Sequence, residues 1–273
     1  MSVLVNGEVS PYISALDRGA MYGQCIFETI AVSNGQACLL DAHLQRLKQG
    51  AELLNIDYDQ SLLVNEINAS ITGISKAVLR VNLTMGEGGR GYLNPVKQQH
   101  TRILSLHDYP IHPKSLTQEG IELGTVDIRL SHQPVLSGIK HGNRLEQIIA
   151  RSQWKSGWHE ALILDINENV IEATQSNVFI VSEESLITPC LMNAGVAGVM
   201  RENIIKLAQS MQIPVEIKPI SVDDVIQADA VFLTNSVIGL WPVKQYNQRS
   251  YNDLTIANKL LKKIIKNEFI PII

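Results

Sequence analysis

The sequence predicts a mixed α+β fold in two domains, and three observations carry that reading. Short apolar runs of strand length alternate with helically spaced segments along the whole chain. With 273 residues the chain exceeds the usual reach of one core, so one large or two medium domains are expected. The stretch Tyr109-Pro110-Ile111-His112-Pro113 disfavours both helix and central strand, which makes it the linker. The domains are therefore set at residues 1–108 and 120–273, with 109–119 between them.

The elements follow in order. Residues 3–6 read as a strand, and 27–32 and 37–40 as strands joined by the turn Ser33-Asn34-Gly35. Asp41 is placed as the cap of a helix whose apolar positions Leu44, Leu47, Ala51 and Leu54 keep helical spacing. A second helix over 61–71 and strands at 77–84 and 102–107 complete the first domain. The second domain opens with a strand at 121–126, a loop to Lys140 and a helix over 143–154. Strands at 161–165 and 170–172 flank a turn at 166–169, and 178–181 continues the sheet. A helix over 199–211, a strand at 215–220, a short helix near 223–227, a strand at 230–233 and a helix at 258–267 finish the chain. Strand order within the sheets does not follow from this pattern.

Composition excludes several classes of function. Hydrophobic residues make up 45% and charged residues 18%, with net charge −4 and pI near 6.0, so no basic excess points to nucleic acid or an anionic membrane. No apolar run approaches spanning length and the first residues lack the pattern of a signal peptide. The three cysteines, Cys25, Cys38 and Cys190, are odd in number and far apart, which suits reduced thiols in a cytoplasm. Seven histidines form no His-Glu-x-x-His and no close ligand cluster, so no metal is expected.

Three segments carry candidate chemistry. Lys140 sits in Ser-Gly-Ile-Lys-His-Gly-Asn-Arg-Leu-Glu, between a glycine-bearing turn and a helix start. It is either one of many surface lysines or a Schiff-base lysine, since a buried amine is the side chain that can both bond an aldehyde and shuttle protons. Glu172 ends an apolar pair in Ile-Glu-Ala-Thr-Gln-Ser-Asn-Val-Phe; it is either a solvated hairpin residue or a carboxylate facing a protonated ring nitrogen. Gly195-Val-Ala-Gly198-Val199-Met200-Arg201 precedes an amphipathic helix, and its glycines serve either as plain turn residues or as an anion cradle at the helix start. Thr234-Asn235-Ser236 ends a strand, a place where hydroxyls can meet a ligand. Met85-Gly86-Glu-Gly88-Gly89-Arg90-Gly91-Tyr92 matches a dinucleotide fingerprint in its glycines, but Asn94-Pro95 follows instead of a helix. A glycine-rich loop carrying Arg90 and Tyr92 remains, as an inert hairpin or a substrate lid.

In this order the segments around Lys140, Glu172 and Gly198 resemble the fold-type IV pyridoxal-phosphate enzymes, a family of branched-chain aminotransferases, D-amino acid aminotransferases and aminodeoxychorismate lyases. Ile-Lys-His-x-Asn-Arg-Leu-Glu and the Gly-Gly-Arg-Gly-Tyr stretch look most like the lyase branch. The resemblance runs from Asp17-Arg18-Gly19 and Phe27-Glu28-Thr29 to 236–243. It implies a small N-terminal α/β domain, a larger C-terminal domain with a β-barrel-like core, pyridoxal 5'-phosphate between them, and a homodimer. It implies Lys140 as the catalytic, cofactor-bearing lysine, Glu172 at the pyridinium nitrogen and Asn177 beside it. Gly198 and the backbone of Val199 and Met200, with Arg46, Asn235 and Ser236, are implied around the phosphate; the family often has threonine where Met200 stands. Thr29, Arg90, Tyr92 and Arg144 are the implied substrate contacts. The implied reaction of the lyase branch takes a small molecule, 4-amino-4-deoxychorismate, to 4-aminobenzoate and pyruvate. Transamination, and a non-catalytic relative that only binds ligand, are the alternatives.

Overall fold

The computed structural model describes residues 2–271. Its first compact unit comprises the residues up to Pro110 together with Ile139–Asn143; the second comprises Ile111–Gly138 and the residues from Arg144 onward. The chain divides after Pro110, and the Lys140 segment groups with the first unit.

The first unit contains β1 (Ser2–Val5), β2 (Glu8–Val9), α1 (Arg18–Tyr22), β3 (Cys25–Ser33), β4 (Gln36–Ala37), α2 (Leu40–Leu53), α3 (Gln60–Ile71), β5 (Lys76–Thr84) and β6 (Thr101–His107). Its sheet runs β2-β1-β6-β5-β3-β4 and is antiparallel throughout. Alternation in β3 sends Ile26, Glu28 and Ile30 to one face and Phe27 and Thr29 to the other. The first face meets α2 and α3, and Ile26, Ile30, Leu79, Leu83 and Leu104 form one core with Leu44, Leu47, Leu63, Ile67 and Ile71. Gly50 permits the close approach of α2 to β3, because a Cβ there would stand 2.9 Å from Ile26 Cγ2. That approach is what brings His43 and Arg46 to Glu28.

The apolar run at 37–40 is not a strand beyond Ala37. Leu39 turns left-handed at φ 55° and Leu40 begins α2, so Asp41 lies in the first helical turn and not at the cap. There it still favours the helix, as an anion near the positive end of the dipole. The capping carboxylates in this unit are Asp17, which accepts from Gly19 N at the start of α1, and Asp59, which accepts from Leu62 N at the start of α3.

The second unit contains α4 (Ser115–Gln118), β7 (Ile121–Leu130), α5 (Leu145–Ser152), β8 (Glu160–Asp165), β9 (Val170–Ala173), β10 (Asn177–Ser182), β11 (Ser185–Pro189), α6 (Val199–Ser210), β12 (Val215–Lys218), α7 (Val222–Gln227), β13 (Ala230–Asn235), β14 (Gly239–Tyr246), β15 (Arg249–Ser250) and α8 (Thr255–Lys266). One mixed sheet runs β12-β11-β10-β13-β14-β7-β8-β9, with β15 on β14. It curls until its terminal strand β9 approaches β10 and β11, which makes the core barrel-like. Strands β8, β9 and β10 are buried on both faces and read as nearly unbroken apolar runs for that reason. Phe179 and Phe232 stack across β10 and β13 at 5.1 Å between centroids, inside this sheet.

Residues 143 and 144 are not helical as the periodicity suggests. The segment before α5 is extended because it pairs with the edge of β3: Phe27 N donates to Lys140 O at 2.9 Å, and Gly142 N to Cys25 O at 2.8 Å. Strand β11 and the long β14 escape the sequence reading, since Pro189 and Pro242 break the apolar alternation within them.

Candidate functional site

In the first unit, Lys140 is fixed by main chain. His141 bridges Ile26 across the β3 edge, and a side chain at Gly142 would collide with Cys25 Sγ. Lys140 Nζ stands 4.6 Å from the centre of the Phe27 ring, which turns its electron-rich face to the cation. Arg80 Cζ lies 4.1 Å from the same ring, and Arg80 sits opposite Thr29 in the β3–β5 ladder. Burial pulls the Arg80 guanidinium below its ordinary pKa. Sequence reading missed Arg80; its signal is a charge interrupting the apolar run of β5.

Beneath this face, Arg46 Nε and Nη2 donate to Glu28 Oε1 and Oε2 at 2.7 and 2.5 Å, and His43 Nδ1 lies 2.6 Å from Oε2. All three are buried. Burial alone would raise the Glu28 pKa, but Arg46 and His43 outweigh it and hold the carboxyl down to about 2. Burial dominates at His43, lowering its pKa against the pull of Glu28, so the ring is neutral. Among the described residues, the buried His43 Nε2 has no hydrogen-bond partner. Arg46 is thus a buried, oriented arginine.

Arg90 is exposed in the loop between β5 and β6. Tyr92 is also exposed, with its ring edge-on to Tyr22 at 5.8 Å.

In the second unit, Glu172 on β9 is buried and its Oε2 accepts from Val196 N at 2.8 Å. Asn177 heads β10 and its Nδ2 donates to Val196 O at 2.9 Å. One backbone unit is therefore read by both side chains, which ties the glycine segment to the strands. Gly138 extends the tie, donating to Gly195 O and accepting from Ala197 N, both at 3.0 Å. At Gly198 a Cβ would overlap Asn177 Oδ1, so only glycine fits. Gly198 is the N-cap of α6, and no side chain caps that helix. Its first-turn N–H groups and dipole suit a phosphate, whereas the side chains of Val199 and Met200 are buried, so only their backbone can serve. Arg201 turns away to Thr188 Oγ1 and Pro189 O.

Asn235 shapes a turn: its Oδ1 accepts from Val237 N and Ile238 N at 2.9 Å, and its Nδ2 donates to Ser176 Oγ at 3.2 Å. Ser236, half-buried, lies in that turn. Ser176 and Gln175 N donate to Glu160 Oε2. Glu160 is buried, and desolvation raises its pKa to about 7 despite these donors. An acid heading the apolar run 161–164 was its signal in the sequence. Arg144 stands half-buried at the start of α5.

Among the described residues no group of three His, Cys, Asp or Glu could hold a metal ion, and no helix is long and apolar enough to cross a membrane. The family profile of the class IV amino-transferases matches residues 25–246. The chain is 32% identical to the aminodeoxychorismate lyase of Vibrio harveyi over 88% of this chain and 89% of that protein. It is 30% identical to the "Probable branched-chain-amino-acid aminotransferase" of Thermotoga maritima, over 83% and 78%. The crystal structure of 4-amino-4-deoxychorismate lyase from Pseudomonas aeruginosa superimposes with a TM-score of 0.94 at 37% identity, covering 97% of this chain and 98% of that one.

Proposed function

The chain belongs to the class IV amino-transferase family, whose cofactor is pyridoxal phosphate, and we propose that within it the chain is a 4-amino-4-deoxychorismate lyase. The observation that carries this reading over transamination is the 37% identity to the Pseudomonas aeruginosa lyase along nearly the whole chain. The elimination would serve folate synthesis, in the cytoplasm.

When bound, pyridoxal phosphate supplies an aldehyde for the substrate amine and a ring that accepts electrons. The residues present fit it: an uncapped helix start for the phosphate, a carboxylate oriented by Val196 N, and a lysine held by main chain. Val199 N, Met200 N, Ser236 and Arg46 take the phosphate, with Gly198, Asn177 and Asn235 shaping their loops. Glu172 keeps the ring nitrogen protonated. Lys140 Nζ would carry the cofactor and, once the substrate amine has displaced it, would take the proton from the amine-bearing carbon of the substrate. The neighbouring carbon–oxygen bond breaks, enolpyruvate leaves and becomes pyruvate on protonation, and the ring becomes aromatic. Arg90 and Arg144 would bind substrate carboxylates, with Thr29 and Tyr92 as further substrate contacts and Arg80 added by its place opposite Thr29.

The active species is a homodimer in this reading. Leu145, Ile148 and Ile149 put an exposed apolar row on one side of α5, suited to a second copy.

The decisive assay gives the holoenzyme 4-amino-4-deoxychorismate in one tube, and branched-chain or D-amino acids with 2-oxoglutarate in another. Release of 4-aminobenzoate and pyruvate is expected; amino-group transfer without 4-aminobenzoate overturns the lyase reading. Borohydride reduction should leave the cofactor on Lys140, and a protein that takes up no cofactor would be a binding relative instead.

A further inference from the structure

Arg18 is 2% exposed, yet among the described residues no carboxylate pairs with it. Its neighbour Asp17 is engaged elsewhere, accepting from Gly19 N, Thr84 Oγ1 and Thr101 Oγ1. A buried guanidinium without an anion is costly, so its hydrogen bonds must recover much of that cost. They go to the glycine-rich loop. Arg18 Nη1 donates to Gly91 O at 3.0 Å and to Gly89 O at 3.3 Å, and its main-chain N–H donates to Gly86 O at 2.8 Å. Nε donates to Gln24 Oε1 at 2.6 Å, and Gln24 Nε2 reaches Asn94 Oδ1 at 2.8 Å at the far end of the loop. The guanidinium also lies 4.8 Å from the Tyr22 ring, the ring that meets Tyr92 edge-on.

Glycines at 86, 88, 89 and 91 would leave such a loop with many backbone states, and ordering them carries an entropic cost. The two carbonyls held by Nη1 bracket Arg90, so they restrict the direction in which its side chain leaves the backbone. Packing repeats the constraint: a Cβ at Gly88 would stand 2.6 Å from Arg18 Cδ and 3.3 Å from Pro95 Cγ.

We propose that Arg18 is a positioning residue for the reaction: it clamps the loop around residues 86–92 and thereby aims Arg90, with Tyr92, at an anionic group of the substrate. This rests on the assignment of Arg90 to substrate binding. The clamp itself is within one compact unit and is independent of the cofactor.

The test uses the holoenzyme in two single variants. Arg18→Lys keeps the charge but loses the planar fork, and Gly88→Ala displaces the Arg18 stem while leaving the buried charge in place. Both should raise KM for 4-amino-4-deoxychorismate by about tenfold or more with kcat nearly unchanged, and speed amide exchange across 86–92. The visible cofactor absorbance should stay as in the wild type. In an Arg90→Gln background, adding Arg18→Lys should raise KM no further, because the two act through one contact. Additive effects, or wild-type exchange in the loop of both variants, overturn the clamp; if Arg18→Lys fails to fold, Gly88→Ala decides alone. If Arg90→Gln leaves KM untouched, the substrate role of Arg90 has failed, and exchange in 86–92 then judges the clamp by itself.

Discussion

Arg46 and Glu28 meet as a two-bond pair inside the first compact unit, Nε on Oε1 and Nη2 on Oε2, with His43 on the same carboxylate. A bidentate pair fixes the guanidinium plane as well as its position, which a lysine could not do. Because Glu28 and Arg46 cancel in charge and His43 is neutral, the group is held without a net buried charge.

Replacing Glu28 with Gln should therefore loosen Arg46 and destabilise the protein. The folded pKa of about 2 lies below the ordinary 4.5, a difference worth roughly 3 kcal/mol. A depressed carboxylate stabilises fully above the unfolded value and loses that contribution as pH falls through the folded one. Urea unfolding of wild type and Glu28→Gln should thus differ by a constant amount above pH 4.5, with the gap closing toward pH 2. A gap that does not change with pH would show that Glu28 titrates alike in the folded and unfolded protein, so that Arg46 and His43 do not hold its pKa down.

Gly142→Ala tests the seat of Lys140. Its new methyl would collide with Cys25 Sγ, and crowding of this kind costs about 1–3 kcal/mol while moving the strand that carries the lysine. Turnover should fall about tenfold or more in the single variant. Adding Cys25→Ala should restore most of both losses, a coupling read directly from a double-mutant cycle. Equal activity in the single and double variants would place the defect elsewhere.

Gly198→Ala tests the other half of the proposed cofactor set. Asn177 Oδ1 must leave its place, and with it goes the bond from Asn177 Nδ2 to Val196 O. Losing one or two hydrogen bonds to a charged phosphate corresponds to about ten- to a hundredfold weaker cofactor binding. Absorbance titration of the apoenzyme should show that loss, alongside a stability cost of about 1–3 kcal/mol from the crowding.

The sequence displays some of this directly. Periodicity locates α3, β5, β6, α6 and α8 to within a few residues, because each buries one regular face. It misreads 37–40, where an apolar run ends one strand and starts a helix through a left-handed Leu39, a turn that leucine does not announce. It also gives 143–144 to a helix, because pairing with β3 is a contact across more than a hundred residues of chain. The motifs around Lys140, Glu172 and Gly198 stand out as short segments with unusual glycine spacing. Arg80 and Glu160 show only as single charges in apolar runs and Arg18 not at all, since what distinguishes the three is burial among partners brought together by the fold.

Glu160 yields the last prediction. Its donors include Gln175 N, Ala161 N and the Ser176 and Thr174 hydroxyls, with no cation among them in the described residues, and Ser176 in turn receives Asn235 Nδ2. Burial raises its folded pKa to about 7 from 4.5, so the folded state holds the proton more tightly than the unfolded chain. That extra stability is complete below 4.5 and is lost as pH rises through 7, because a carboxylate then stands charged in an apolar strand. Relative to Glu160→Gln, which cannot ionise, the wild type should lose roughly 3 kcal/mol between about pH 4.5 and about pH 8.5. Urea unfolding at those two values measures it. The same rise in pH should speed amide exchange at Gln175 and Ser176 in the wild type alone, because the turn that leads into Asn177 is tied to this one acid; parallel pH profiles in the two proteins would mean that Glu160 stays ionised when folded and that the turn is held by other contacts.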